Sequence, residues 1–116
     1  SEKFFVEQCV DELAVSQCMR MQRLLVDVRI IPELYLQIMA ISVGIPQIVR
    51  TQTEFVKHGR NGIVLKKIGK LPVALNYYLD GLKNWNKAMV CAYEMSKEYT
   101  TEKLIEIWRE VIDSIE

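Results

Sequence analysis

The chain has little of what metal-dependent or nucleophilic chemistry draws on. It holds a single histidine, His58, and three cysteines, Cys9, Cys18 and Cys91, no two of which form a C-x-x-C pair. A structural zinc needs four ligands, usually delivered as spaced Cys and His pairs, and this spacing argues against one. An odd number of unpaired thiols also argues against a disulfide framework and leaves reduced, mostly buried cysteines in a cytosolic protein. Fifteen basic residues face fifteen acidic ones and the net charge is zero, so no global field gathers nucleic acid or a polyanion. No apolar run approaches the roughly 18 residues of a membrane span. A signal-peptide pattern is absent, as are repeats and low-complexity tracts and the G-x-x-x-x-G-K-[ST] phosphate loop. The sequence opens at Ser1 rather than Met, which reads as a fragment or processed product.

What is present is an apolar half of 116 residues, enough to build one small core. Residues 3–7 suit a strand, and Asp11 and Glu12 open a helical stretch reaching Gln22. Residues 24–30, LLVDVRI, form a short run rich in Val and Ile that fits a buried parallel strand. Pro32 suits the first turn of a helix over 32–43, and Glu33 suits the positive end of its dipole. That helix is apolar nearly all round, from Leu34 to Val43, so a sheet covers one side and something else must cover the other. Gly44 can take the left-handed conformation that stops the helix, and Pro46 prevents its resumption.

The strand 47–50 follows. Thr51 or Thr53 can cap a helical turn, EFVKH. Residues 58–62 form a turn in which Asn61 or Gly62 takes positive φ; it leads either into a hairpin or into another parallel strand at 63–65. From residue 70 onward the chain is helical: one helix from Pro72 to a stop at Gly81, a second capped by Asn84 with Trp85, Ala88, Met89, Ala92 and Met95 inward, and a third capped by Thr100 or Thr101 with a stripe of Leu104, Trp108, Val111 and Ile115, Ile105 and Ile112 alongside. This order predicts a single α/β domain over residues 1–116, with a parallel sheet and helices packed on it.

Residues 44–62 resemble the C-terminal domain of GT-B glycosyltransferases. The carrying residues are Gly44, Ile45 and Pro46, then Glu54, Phe55 and Val56, then Gly59, Asn61 and Gly62. The motif is largely architectural: glycines for backbone conformation, Pro for a stop, Glu54 for helix-start placement. Active enzymes of the retaining group carry two glutamates along the preceding helix, the second binding the ribose of the nucleotide sugar. At those registers this chain has Ile31 and Met39, and neither accepts a hydroxyl hydrogen bond. Glu33 is two residues out of register, which turns it about 200° round a helix. A ribose hydroxyl left facing Met39 would forfeit roughly 1–3 kcal/mol. The catalytic reading therefore fails, and one fold hosts many functions.

A longer resemblance covers residues 24–116. The strand end with Asp27 and Arg29, then Pro32, the string ISVGIPQI from Ile41 to Ile48, Asn61-Gly62, and YYLDGLKNWN from Tyr77 to Asn86 look like the C-terminal part of the first of the accessory secretory proteins of the accessory Sec system. The resemblance implies an α/β fold: a parallel-sheet, Rossmann-like half of a GT-B-type fold with C-terminal helices, belonging to a larger two-domain protein. It implies a cytoplasmic, non-catalytic component in Gram-positive bacteria that needs no cofactor. Its partners would be the other accessory secretory proteins and the accessory Sec motor, and its role the export of serine-rich glycosylated adhesins. A glycosyltransferase or nucleotide-sugar binder of GT-B type is the alternative.

Local charge adds one candidate surface. Residues 50–70 carry Arg50, Lys57, Arg60, Lys66, Lys67 and Lys70 against Glu54 alone. The segment is either a solvated face or a contact with an anionic membrane surface at the inner face of the cell membrane. The acidic residues 94–116 read as a solvated face. His58 has no nucleophile beside it in sequence and reads as a turn residue. Trp85 and Trp108 lie on apolar stripes and read as core. One of the adjacent Tyr77 and Tyr78 must face outward and is an interface candidate. The apolar helix 32–43 is expected to drive self-association of the chain, through Pro32 to Val43 or the C-terminal helix, unless another domain or partner covers it.

Overall fold

Among the described residues, three short strands carry the fold. In the computed structural model, which describes residues 22–99 and 101–115, β1 (Leu25–Asp27), β2 (Gln47–Val49) and β3 (Gly62–Val64) form one parallel sheet in the order β1-β2-β3. Val26 lies opposite Ile48, and Ile48 opposite Ile63. The strand and helix expected over 3–7 and 11–22 lie outside the described residues, apart from Gln22. Between β1 and β2 runs α1 (Leu34–Val43). After β3 come a 3-10 turn (Ile68–Lys70), α2 (Leu71–Leu79), α3 (Leu82–Ser96) and α4 (Thr101–Ile115). The turn before β3 thus leads into a parallel strand and not a hairpin.

Alternation along β1 divides the core, because successive side chains leave opposite faces of a sheet. Leu25 meets α1 through Ala40 with Ile45, flanked by Tyr35, Leu36, Met39 and Val43. Leu24 and Val26 fall on the other side with Ile48 and Ile63, against Ala74, Tyr78 and Ala88 of α2 and α3. A third cluster joins Ile38 and Ile41 of α1 to Phe55, Met95 and Ile107, with Leu34, Leu104 and Trp108 at its edge. The second side of α1 is therefore covered within the chain, by the end of α3 and by α4. No large apolar residue of α1 is exposed; Ile30 and Ile31, just before it, are. The expectation that α1 drives self-association loses its cause.

Helix boundaries differ from the sequence reading for local reasons. Strand β1 stops at Asp27 because its carboxylate turns to the next backbone amides, accepting from Arg29 N–H and Glu33 N–H, each at 3.2 Å. Pro32 and Glu33 precede α1 instead of opening it; Glu33 is the N-cap, extended at φ −90° and ψ 102°, and the first turn holds no acid. Gly44 does end the helix, at φ 77°, its N–H donating to the carbonyls of Ala40 and Ile41. Helix α2 ends at Leu79, and Gly81 starts α3 instead of merely stopping α2. Asn84 lies inside α3, and its side-chain amide donates to the Tyr77 carbonyl at 3.2 Å. Thr101 is the first residue of α4 and not its cap, while Thr100 lies outside the described residues. On α4, Ile107 is buried and Ile105 and Ile112 are exposed; the side chains of Val111 and Ile115 are not described.

Candidate functional site

The chemistry-bearing residues gather at the carboxyl ends of the strands and in the connection from β2 to β3. Nothing helical forms over 54–58. Thr53 instead heads a tight turn: its hydroxyl accepts from Phe55 N–H at 3.1 Å and donates to Gln37 Oε1 at 2.6 Å. This turn drives Phe55 and Val56 into the core, where they are 2% and 0% exposed. Glu54 is left exposed on the turn and places no helix start. Burial pushes the Tyr99 phenol upward, and the charges of Glu54 and Glu98 add to that.

Of the motif residues, Asn61 and Gly62 act differently from the sequence reading. Positive φ occurs at Gly44 and Gly59, and at neither Asn61 nor Gly62. Asn61 is fully buried and fastens the loop: its Oδ1 accepts from Lys57 N–H at 2.8 Å and its amide donates to the Phe55 carbonyl at 2.9 Å. Gly62 is required by close approach. A side-chain carbon there would run into the Gln47 carbonyl oxygen and come 2.9 Å from Val56 Cγ1. Pro46 is buried, and its carbonyl accepts from Leu25 N–H at 3.1 Å, which ties the helix stop to the start of β1.

The six basic residues are all exposed, but the fold does not keep them together. Arg50 directly follows β2 and Lys66 lies two residues past β3. They share a cavity of about 510 Å³ with Gln52 and His58. Arg60 lies instead on a cavity of about 320 Å³ beside Tyr77, Tyr78 and Lys87, with His58 and Cys91 also on its wall. Lys57, Lys67 and Lys70 line neither. His58 is no isolated turn residue: its Nδ1 accepts from Val64 N–H at 3.0 Å. Tyr77 is half exposed and Tyr78 buried, as adjacency requires, and burial pushes the Tyr78 phenol far upward, with Tyr77 and Cys91 adding.

At the end of β1, Asp27 is 5% exposed and clamps Arg29, whose Nε donates to Oδ1 at 2.7 Å while a terminal nitrogen donates to Oδ2 at 2.8 Å. Burial raises the Asp27 carboxyl, but the Arg29 side chain, the two backbone amides and the Arg29 charge outweigh it and hold the group below its ordinary 3.8. Ile31 is 84% exposed in the bend before α1, and Met39 is packed in the α1 cluster. Neither register holds a carboxylate. Sequence reasoning missed two other polar devices. Gln37 and Gln47, both fully buried, are joined by the Gln47 amide donating to the Gln37 carbonyl at 3.0 Å. The Thr51 hydroxyl donates to the Ile30 carbonyl at 2.6 Å and binds the loops after β1 and β2 together. A polar residue inside an apolar helix was the signal available for Gln37.

Among the described residues no cluster of His, Cys, Asp and Glu could hold a metal, and no helix is long and apolar enough to cross a membrane.

Comparison with known proteins places this architecture. Residues 1–114 match the family described as accessory Sec system protein, the first accessory secretory protein. The chain is 41% identical over 115 residues to the curated protein of that description from Streptococcus gordonii, covering 96% of the chain and 22% of the relative. It is 41% identical over 99 residues to the Staphylococcus aureus protein, covering 85% of the chain and 19% of the relative. It thus spans about a fifth of the length of the curated relatives it matches. Among solved structures, accessory secretory protein 1, 2 and 3 of Streptococcus pneumoniae aligns at TM-score 0.72 and 36% identity, over 91% of this chain and 22% of that one. A Glycosylation Associate Protein complex from Streptococcus agalactiae aligns at TM-score 0.63 and 42% identity, over 73% and 17%. The chain belongs to the family of the first accessory secretory protein of the accessory Sec system.

Proposed function

We propose that this chain is the C-terminal Rossmann-like part of a larger two-domain, GT-B-type protein, and that it serves the accessory Sec system without catalysing a reaction. It acts by contact with the other accessory secretory proteins and with the accessory Sec motor, and so supports export of serine-rich glycosylated adhesins. The observation that carries this reading is the family match over nearly the whole chain. The alignment with a chain of solved accessory secretory proteins 1, 2 and 3 supports the partners. Exposed Ile31 and packed Met39, where the related enzymes hold glutamates, support the absence of glycosyl transfer. Co-expression with the second and third accessory secretory proteins of the same organism tests the reading. Recovery of a stable complex on size exclusion supports it; failure to associate, for this chain and for the longer protein carrying it, overturns it.

Within this reading the protein works in the cytoplasm and touches the inner face of the membrane through Arg50, Lys57, Arg60, Lys66, Lys67 and Lys70. All six are exposed, and none forms an ion pair among the described residues. Each basic residue near an anionic surface contributes up to about 1 kcal/mol. Vesicle co-sedimentation that falls away with salt is the expected result, and salt-independent sedimentation or none removes the membrane contact.

A further inference from the structure

We propose that the carboxyl ends of β2 and β3 form a pocket for a single phosphate group, held by Arg50, Lys66, His58 and Gln52. The cavity of about 510 Å³ is lined by these four with Val64 and Leu65, and no carboxylate is among them. Parallel pairing brings its two cations to the same end of the sheet. Val49 lies opposite Val64 and Leu65 N–H donates to the Val49 carbonyl at 2.8 Å; Arg50 follows Val49 and Lys66 follows Leu65, so both leave the same end of the paired strands. The cations are therefore placed by the sheet and not by a long loop.

The donors are unspent. Arg50, Gln52 and Lys66 make no side-chain hydrogen bond or ion pair with any described residue. His58 Nδ1 accepts from Val64 N–H, and a ring nitrogen that accepts carries no proton, so the neutral imidazole keeps its proton on Nε2 as a free donor. A guanidinium fork, an ammonium, an imidazole N–H and an amide then line a space with no acid among the described residues that surround it. The fork matches two oxygens of a tetrahedral oxyanion, and the ammonium adds a point charge. Leu65, 5% exposed, supplies an apolar floor that strengthens these contacts. The place is also where open α/β sheets bind ligands, outside the carboxyl ends of their strands. A phosphate with a small organic group attached fits the volume. The pocket stands independently of the export role, and it differs from a diffuse basic face in discriminating between cations of the same segment.

His58 is the only histidine in the chain, so its imidazole signals in NMR identify themselves. Inorganic phosphate is titrated against chloride at constant ionic strength, into the purified chain and into two double variants that remove the same charge. The expected result is a saturating shift of the His58 signals, weakened about tenfold or more in R50Q/K66Q and unchanged in K67Q/K70Q. All four side chains are exposed, so both doubles should melt with the parent. A shift that never saturates, or equal weakening in both doubles, overturns the pocket. Vesicles of phosphatidylcholine carrying phosphatidic acid or phosphatidylglycerol identify the source. Preference for phosphatidic acid that inorganic phosphate displaces assigns the pocket to a lipid headgroup. Phosphate binding without that preference assigns it to a soluble phosphate compound.

Discussion

Arg29 folds back onto Asp27 and holds both oxygens of its carboxylate, at 2.7 and 2.8 Å, two residues along the same strand end. The carboxylate also accepts from the backbone amides of Arg29 and Glu33. Asp27 thus ends β1, shapes the bend through exposed Ile30 and Ile31, and sets where α1 begins. It is the joint between β1 and α1, and its charge is what makes the joint.

The fold should therefore weaken in acid through this group. Asp27 titrates below its ordinary 3.8 when folded. A depressed carboxyl contributes stability that is fully present above the unfolded value and is lost as pH falls through the folded one. Thermal melts between pH 7 and pH 2 should show a steep loss below about pH 4. Asp27→Asn should lower the melting temperature at pH 7 and flatten that acid limb. An unchanged acid limb would show that another carboxylate dominates.

Asn61→Ala should be among the more damaging single changes in the loop. It strands two backbone groups, Lys57 N–H and the Phe55 carbonyl, beside a fully buried position. Each unsatisfied buried group costs about 1–3 kcal/mol. Asn61→Asp keeps the acceptor but sets a carboxylate oxygen against the Phe55 carbonyl in a buried place, so at neutral pH it should be at least as damaging as Asn61→Ala in urea unfolding. Equal midpoints for all three would mean that the loop is held by Phe55 and Val56 alone.

The two loop glycines should separate by mechanism. Gly59 has φ 83° and nothing within 4 Å of an added carbon, so Gly59→Ala should cost only the left-handed strain, about 1–2 kcal/mol. Gly62 has an ordinary φ but no room, since an added carbon meets the Gln47 carbonyl between paired strands. Gly62→Ala should therefore cost more than Gly59→Ala, and Gly62→Val more again. The reverse order in chemical unfolding would contradict the close packing of β2 on β3.

Much of this was legible in the chain because it is local. The Gly44-Ile45-Pro46 stop, the strand that follows it, and the opposed burial of Tyr77 and Tyr78 all follow from backbone preference or side-chain period. The misreadings share another cause. Whether Thr53 caps a helix or heads a turn depends on Gln37, sixteen residues away, which receives its hydroxyl. Whether Asn61 takes positive φ depends on the carbonyl of Phe55 and the amide of Lys57, which hold its side chain inside. The basic segment reads as one patch in sequence, yet parallel pairing draws Arg50 and Lys66 to one cavity and sends Arg60 to another. The family resemblance was specific because YYLDGLKNWN spans the α2–α3 junction, where Gly81 has no room for a side chain beside Tyr77 and Asn84.

Nucleotide sugars should bind this chain weakly or not at all. In the glycosyltransferases that residues 44–62 resemble, ribose recognition rests on a carboxylate; the position that aligns with it here is Met39, packed against Leu25, Ala40 and Ile45. Calorimetry with a panel of nucleotide sugars should give no sub-millimolar site that Met39→Ala abolishes. A Met39→Glu variant should not restore one, because its carboxylate would enter an apolar cluster without a partner, at a cost of several kcal/mol. Tight binding by the parent chain would return the enzymatic reading.

The last expectation concerns α4, which takes the role that the sequence left to an outside partner. Helix α1 is apolar on nearly every face; the sheet takes the Ala40 side, and Met95 and Ile107 take the side of Ile38 and Ile41. Tyr35 and Trp108 meet across the same seam, with ring centroids 5.4 Å apart, a pair worth about 0.5–1.5 kcal/mol beyond its buried area. Ending the chain after Tyr99 would uncover Ile38, Ile41, Phe55 and Met95 together, and contiguous apolar surface of that kind drives association. Light scattering should show the whole chain not associating through α1 and the shortened chain forming larger species as concentration rises. Ile107→Ala should lie between them, destabilising by about 2–5 kcal/mol while leaving most of the seam closed. Hydrogen exchange on α1 reads the same seam directly: slow in the whole chain, faster in Ile107→Ala, fastest without α4. If α1 exchanges equally slowly in all three, the sheet alone protects it and α4 is an appendage.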